Sequence, residues 1–241
     1  MSNTPEQVLF KHVVQRPDAE IELDVAALLI GDWDHEIDVA GYLRRLDDFA
    51  DRAIERLGRR EGEPFAVVRA INETLFGELG FRGNDETYYD PRNSFLSDVI
   101  DRRIGIPISL SVLYIEVARR IGVQVRGIGF PGHFLLRYDE ADQFLIFDAF
   151  HLGLSLDYRD LESRLARSSG GKARFSEQVL EPADKRQILA RMLANLAANY
   201  HRAGDPVRCV EVLERMVILE PDNKRIVREL ARVQRRVQDL N

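Results

Sequence analysis

The sequence predicts an α+β protein, with helices at both ends of the chain and an antiparallel sheet between them. Apolar residues recur at helical spacing as far as Gly77, and again throughout the segment after Lys185. Between these segments, three short runs are rich in strand-forming residues, at 123–130, 133–138 and 143–148. Strands bordered by helices are typical of a layered domain, and we expect the helices to lie on one side of the sheet.

The N-terminal part is predicted to be helical. Apolar spacing indicates one long amphipathic helix over 42–57, and Gly58 marks its end. A further helix is predicted to begin at Pro64 and to be interrupted at Gly77. The segment 81–93, in which Gly, Asn, Asp and Pro are frequent, is predicted to be a long loop, and loops of this length are often functional.

The middle helix begins at Pro107, since proline is favoured at the first helical position, and Gly122 ends it. Its apolar residues recur at helical spacing: Leu110, Leu113, Tyr114, Val117 and Ile121. A helix N-terminus stabilises an anion and would suit a nucleophilic thiolate. The one cysteine of the chain, Cys209, is nevertheless distant in sequence from this helix. A helix that begins at Pro107 therefore has no thiol to offer.

His133 and Asp148 bracket a predicted β-hairpin. Their strands are separated by the polar residues 139–142, and a turn centred between Glu140 and Ala141 would place His133 directly opposite Asp148, with Cβ atoms roughly 5 Å apart. A carboxylate in that position orients an imidazole and raises its basicity. An equally weighted alternative is a buried structural pair with no chemical role.

These residues resemble the core of the transglutaminase-like superfamily, which has a papain-like fold. The matching features are Gly105-Ile106-Pro107, the helix end Ala118-Arg119-Arg120-Ile121-Gly122, the strand at 123–127, His133 and Asp148. In that core, a Cys at the helix start, a His on a strand and an Asp on the next strand form a triad. Counting back from Gly122, the position of the family Cys holds Pro107. The resemblance thus implies the fold without the nucleophile.

A longer string is similar to the bacterial SirB/YchA-type family, in which a transglutaminase-like domain is joined to tetratricopeptide repeats. It comprises residues 88–96, Arg103, 105–107, Leu110, Tyr114 and 131–135. The resemblance extends from about residue 20 to the C-terminus and is dense between Tyr88 and Asp148. It implies two units, a transglutaminase-like domain over 1–180 and a helical module over 185–241.

The C-terminal module has tetratricopeptide spacing in the 34-residue window 190–223. Leu193, Ala197 and Cys209 depart from the usual residues of that repeat. One repeat and a final helix are fewer than the ~3 units that such stacks need to be stable alone, so we expect the module to dock on the first domain.

Composition excludes several classes of protein. The net charge of −6 argues against general nucleic-acid binding. The segment from Lys185 carries twelve basic and seven acidic residues, whereas the remainder has a net charge of −11. A single cysteine excludes an intrachain disulfide and favours a reducing, cytoplasmic location. No stretch approaches the ~20 apolar residues of a membrane span, and no signal peptide is evident.

Further site candidates each have an ordinary alternative. Ser109 could present a nucleophilic hydroxyl, although a serine at a helix start more often bonds the backbone. Asn93, Ser94 and Arg103 could line the cleft beside His133, while Ser94 is more simply a helix cap. Tyr200, in the first helix of the repeat window, is a candidate peptide contact.

Cofactor and metal sites are not predicted. Gly127 to Gly132 spell G-x-G-x-x-G, but a strand rather than a helix follows them, which excludes a dinucleotide site. The spacing of His133, Asp148 and His151 matches no standard metal-ligand set. We therefore predict a non-catalytic regulatory or adaptor protein that binds a peptide or protein. The alternative is a cysteine-less acyl-transfer or amide-hydrolysing enzyme, in which His133 is the base, Asp148 orients it, and water or Ser109 attacks.

Overall fold

A computed structural model describes residues 5–31, 37–58 and 65–239. The N-terminal part is helical, as predicted, although the predicted helix start at Pro64 lies outside the described residues. Its elements are α1 (Pro5–Val14), α2 (Leu23–Leu29), α3 (Val39–Leu57) and α4 (Ala66–Asn72), followed by a π-helical turn (Glu73–Glu78). Next come β1 (Arg82–Gly83), α5 (Leu96–Arg102), β2 (Ile104–Gly105) and α6 (Pro107–Arg120).

The sheet and the C-terminal helices complete the fold. Four antiparallel strands lie in chain order, β3 (Val125–Ile128), β4 (Leu135–Glu140), β5 (Gln143–Asp148) and β6 (Leu154–Leu156). The remaining helices are α7 (Tyr158–Ser169), α8 (Lys185–Ala203), α9 (Pro206–Leu219) and α10 (Lys224–Gln238). The middle helix begins at Pro107 as predicted and ends at Arg120, and the third predicted strand has the predicted bounds. β6 lies in a segment for which no strand was predicted.

Both faces of the sheet are covered, so the expectation of helices on one side is wrong. Leu136 and Phe147 point into the main core with α6, while Leu135 and Ile146 point into a second cluster with Leu161 of α7. Successive side chains of a strand lie on opposite faces. The consecutive apolar pairs Leu135-Leu136 and Ile146-Phe147 therefore make both faces apolar, and each face needs its own covering helix.

The hairpin register differs from the predicted one. Glu140 pairs with Gln143 and Leu136 with Phe147, so the connection consists of Ala141 and Asp142. His133 precedes β4 and is not paired in the sheet with Asp148. The turn lies one residue later than expected, which moves each pairing by two residues and therefore moves no side chain to the opposite face of the sheet.

The predicted loop at 81–93 contains a strand. β1 pairs in parallel with β2, through Arg82 with Ile104 and Gly83 with Gly105. A strand of two residues is too short to leave a periodic pattern, and its partner is distant in sequence. This small ladder fixes the loop against the start of α6.

The helix α6 is central and is held at its C-terminal end by a charge network. Arg120 bonds Asp24 of α2, Asp47 of α3 and Glu116 of its own helix, at 2.7, 2.7 and 3.0 Å. Arg119 bonds Asp24 and Glu116 as well. The carboxylates of Asp24 and Glu116 are almost fully buried and require such partners. The network therefore fixes α6 relative to the N-terminal helices.

The C-terminal helices dock on the N-terminal part, as expected of a module too small to be stable alone. The Asp18 carboxylate accepts hydrogen bonds from the backbone amides of Lys185 and Arg186. One core cluster continues from Phe10 to Val233. The boundary between 1–180 and 185–241 and the tetratricopeptide identity of α8–α10 stay predictions. Among the described helices, none combines the length and the apolar composition needed to cross a bilayer.

Candidate functional site

Asp148 is the centre of the candidate site. It ends β5, is fully buried, and caps the 3-10 turn Ala149–His151, since its Oδ1 accepts a hydrogen bond from the amide of Phe150 at 3.1 Å. Its Oδ2 accepts three more, from His133 Nε2 at 2.9 Å, His151 Nδ1 at 2.7 Å and Arg164 Nη1 at 2.7 Å. The predicted meeting of His133 with Asp148 is therefore present.

The donors of Asp148 determine the protonation of the site. Burial alone would raise the pKa of Asp148, but the hydrogen bonds and charges of His133 and His151 outweigh it, and the pKa lies well below its ordinary value. An ionised carboxylate only accepts, so the proton of His133 is on Nε2 and that of His151 on Nδ1. In the neutral imidazoles, His133 Nδ1 and His151 Nε2 remain as acceptors.

His133 is positioned by a turn and by α8. Its amide donates to the carbonyl of Phe130, closing the turn before β4. The guanidinium of Arg191 then donates to the carbonyl of His133 at 2.6 Å and to that of Phe130 at 3.3 Å. A side chain of the C-terminal helices thus holds the backbone of the candidate site.

Aromatic rings form one wall of the site. The Phe150 ring is edge-on to His133 and His151, with centroids 6.1 and 5.2 Å away, and to Tyr88 at 6.2 Å. β1 packs against this wall at Gly83, where an added Cβ would stand 2.6 Å from the Phe150 ring. The predicted loop therefore reaches the site.

Comparison with known proteins identifies the family. A family model described as the transglutaminase-like superfamily matches residues 40–194, which include α3 to α7, the whole sheet, His133 and Asp148. The chain belongs to the transglutaminase-like superfamily. This confirms the coarse resemblance and the mixed helix-and-sheet fold class.

Similar proteins extend this likeness to bacteria and to mammals. A UPF0162 protein of Xylella fastidiosa is 44% identical over 161 residues, which cover 64% of this chain and 57% of that protein. A UPF0162 protein of Pseudomonas aeruginosa is 34% identical over 70% of this chain and 64% of its own length. The F-box only protein 21 of Mus musculus is 33% identical over 57% of this chain and 22% of its own length.

The match to these relatives is partial. The chain spans less than two thirds of the length of the Xylella and Pseudomonas proteins. No solved structure matches it. The likeness therefore assigns the family but not an activity or a partner.

The start of α6 is the position that the sequence resemblance aligns with the nucleophile of the triad, and this alignment stays a prediction. Pro107 is the first residue of the helix, and Ser109 follows it, fully buried. The Ser109 hydroxyl donates to the Asn93 carbonyl at 2.6 Å and accepts from the Ile106 amide at 3.1 Å. In this arrangement its proton is directed at a backbone carbonyl and not at an imidazole.

Asn93 organises the loop that carries Tyr88. Its side-chain Nδ2 donates to the carbonyls of Thr87 and Tyr88, and its Oδ1 accepts a hydrogen bond from the side-chain amide of Asn84. Asn93 therefore holds the Tyr88 backbone, while its own carbonyl binds Ser109.

The other predicted binding residues make their contacts with groups other than Asp148. Ser94 is buried but does not cap α5, which begins after Phe95 without a side-chain cap, so that part of the prediction is wrong. Arg103 ends α5 and donates to the carbonyl of Leu79. Tyr200 is buried in α8 beneath the guanidinium of Arg208.

A metal ion is chemically conceivable at this site. His133, Asp148 and His151 can offer ligand atoms within 4.8 Å of one another. Arg164, however, is bonded to the same carboxylate oxygen at 2.7 Å and already supplies a positive charge. A cation would have to displace that guanidinium, so the residues present do not favour a metal.

Sequence reasoning missed Arg164 and Arg191. Arg164 lies between Leu161 and Leu165 on the inward face of α7, and a charged residue at such a position was a usable signal. No sequence signal marked Arg191, because its partners are the carbonyls of a turn that is distant in sequence. The sequence pattern suggested His151 only as a metal ligand, although its position three residues after Asp148 allows it to share the carboxylate.

Proposed function

We propose that this protein is a non-catalytic, transglutaminase-like protein of the SirB/YchA type, which recognises a peptide or protein segment as a regulator or adaptor in the cytoplasm. In this proposal α8–α10 form a tetratricopeptide-like module beside the former active site. The observation that supports it best is the saturation of Asp148 by Arg164 as well as by the two histidines.

Asp148 is ionised, but its charge is balanced by Arg164, and this arrangement suits a structural role better than a triad role. A triad carboxylate stabilises the imidazolium that forms during reaction. Here the same oxygen is paired with a guanidinium that is largely buried, with 19% of its side chain exposed. Because Arg164 already balances the carboxylate, the stabilisation that Asp148 can add to a charged His133 is reduced.

The helix start supports the same proposal. Pro107 carries no nucleophile, and the Ser109 hydroxyl is committed to backbone groups. A nucleophilic serine needs a base within hydrogen-bond reach, and its proton would have to be released from the Asn93 carbonyl. The cleft has thus kept its imidazole and carboxylate without a partner that reacts.

Surfaces suited to a peptide surround the site. A groove of about 710 Å³ lies between α8, α9 and α10, with Ala190, Ala194 and Ala197 on one side and Ile226 on the other. Small residues leave room for an incoming chain, and helical repeats bind peptides on concave faces. Arg191 lines this groove and bonds His133 as well, so the groove and the site are adjacent.

The proposal is tested by affinity capture from the native host with the full chain as bait. We expect a partner that binds the wild-type protein and the His201→Gln control, an exposed histidine of α8, and that is lost with His133→Gln. Direct binding is then measured with the purified partner and with folded variants, as judged by circular dichroism. Equal recovery of the partner by all three baits would show that the His133 site does not take part in binding.

A second candidate, a cysteine-less hydrolase or acyltransferase, is favoured by one observation. His133 donates Nε2–H to Asp148, so its Nδ1 is available as a base. A water molecule would lose its proton to Nδ1 as its oxygen attacked an acyl carbon, and the amine would leave with that proton. Turnover of peptide or amide substrates that is abolished by His133→Gln and kept by His201→Gln would replace the first proposal.

A further inference from the structure

A continuous row of rings leads from the histidines to α8. We call it the ring surface, and its members are Tyr88, Tyr89, Phe150, His133 and His151. Phe150 contacts Tyr88, which is edge-on to Tyr89 with centroids 5.3 Å apart. Tyr89 is 53% exposed, and the His151 side chain is 47% exposed. A ligand at this face would therefore meet aromatic and imidazole groups.

Two arginines of α8 border the ring surface. Arg191 and Arg202 are eleven residues apart, about three helical turns, and so lie on the same side of the helix. Arg202 stacks on Tyr89, with its guanidinium carbon 3.9 Å from the ring centroid. Arg191 lies over Phe134 at 5.6 Å. Burial raises the pKa of Tyr88, and the charge of Arg191 offsets part of that rise. Both cations are thus in contact with the ring surface or its immediate neighbours.

These two cations have no acidic partner within residues 5–31, 37–58 and 65–239. The contacts of Arg191 are carbonyls and rings, and that of Arg202 is a ring. Burial lowers the pKa of Arg191, which is the sign of a charge without sufficient compensation. An uncompensated, partly buried guanidinium becomes more stable when an anion binds beside it.

The acid of the site cannot provide this compensation. Asp148 is fully buried, and its oxygens are taken by the histidines, Arg164 and the amide of Phe150. Arg191 is also accessible, because it lines a cleft of about 420 Å³ with Pro131 and Phe134. Glu181 also lines this cleft, but no ion pair joins it to Arg191 in the described part of the chain. The exposed part of the site thus presents two cations beside aromatic rings, in a protein whose net charge is −6.

We infer that the ring surface, with Arg191 and Arg202, binds an acidic peptide segment in which Asp or Glu residues stand beside aromatic or apolar ones. Carboxylates pair with the guanidinium groups, and the rings cover the apolar neighbours. Stacking on Tyr89 holds the Arg202 guanidinium in place before the ligand arrives. This inference rests on the proposed function and names the chemistry of its ligand.

The test uses the full chain and fluorescence anisotropy with two labelled peptides of equal length, one of Glu, Phe and Ala and one in which Gln replaces every Glu. We expect the acidic peptide to bind about tenfold more tightly at low ionic strength and to lose this preference in high salt. Arg202→Gln, at an exposed position, removes the preference without weakening the Gln peptide. Arg191→Gln does the same if circular dichroism shows it folded.

The matched control is Arg159→Gln, an exposed arginine of α7, which keeps the preference. Equal binding of both peptides, still sensitive to His133→Gln, would overturn the acidic preference and leave peptide recognition standing. Binding of neither peptide would count against both proposals. Tighter binding of a single-stranded oligonucleotide than of the acidic peptide would overturn the inference in favour of a nucleic-acid ligand.

Discussion

Asp148 is an anion without access to water, and four hydrogen-bond donors replace the water molecules that would otherwise solvate it. The cost of burying a carboxylate is large unless every lone pair finds a partner. His133, His151, Arg164 and the Phe150 amide fill that requirement. The same contacts hold both imidazoles in one tautomer, so the carboxylate determines the geometry of the whole site.

The low pKa of Asp148 predicts acid sensitivity. Its folded-state pKa is depressed below the unfolded value of about 3.9, so its stabilisation is complete above that value and is lost as the pH falls. We expect the free energy of unfolding of the wild type to fall more steeply below about pH 4 than that of Asp148→Asn. At pH 7 the variant should be less stable by about 3 kcal/mol, because Arg164 loses its buried partner.

Urea unfolding at several pH values measures this difference. The matched control is Asp142→Asn, in the exposed hairpin turn, which should keep the wild-type pH dependence. A variant Asp148→Asn with the same loss of stability on acidification as the wild type would show that Asp148 does not carry the effect.

The two central residues of the site were predictable, and their supporting arginines were less so. His133 and Asp148 flank a hairpin, and hairpin pairing is local in sequence. The predicted register was wrong by one turn residue, yet the side chains meet because His133 lies in a turn before the strand. Arg191 reaches the site through tertiary packing of α8, for which a single sequence carries no periodic signal.

At the scale of elements, β1 controls the position of the 3-10 turn at the site. A Cβ at Gly83 would stand 2.6 Å from the Phe150 ring and 2.7 Å from its carbonyl oxygen. We expect Gly83→Ala to lower the free energy of unfolding by about 1–3 kcal/mol, because the backbone of the turn must move. The histidine resonances of His133 and His151 should shift in NMR spectra, since Asp148 caps the same turn.

The control for this prediction is Gly77→Ala in the π-helical turn, where an added Cβ has nothing within 4 Å. It should leave the histidine resonances unchanged. If Gly83→Ala is as stable as the wild type and has unchanged resonances, β1 does not position the site.

Long periodic elements were predictable, and short paired ones were not. The helix α6 begins at Pro107, and β5 has its predicted bounds, because proline, glycine and apolar spacing mark them locally. The two-residue strands β1 and β2 depend on each other across twenty residues of chain. The prediction of helices on one side of the sheet was wrong because consecutive apolar residues in β4 and β5 lie on opposite faces. Both faces are therefore apolar and need a covering helix.

At the scale of the molecule, the two ends of the chain are joined at the start of α8. Asp184 caps this helix locally, and Asp18 accepts hydrogen bonds from its first two amides. The Lys185 ammonium also donates to the carbonyls of Ala19 and Ile21. The acidic N-terminal part and the basic C-terminal helices thus meet through specific hydrogen bonds as well as opposite net charge.

This junction predicts one cooperative unfolding transition for the full chain. Because one apolar core runs from α1 to α10, we expect Asp18→Ala to lower the free energy of unfolding by about 1 kcal/mol without splitting the transition. Asp205→Ala, which removes a cap inside the C-terminal helices, is the comparison and should shift the same transition. Urea unfolding is followed by far-ultraviolet circular dichroism and by hydrogen exchange of peptides from both parts. Separate midpoints for residues before and after Lys185 would show that α8–α10 unfold independently. The hydrogen bond from Arg191 to His133 would then be broken when α8–α10 unfold.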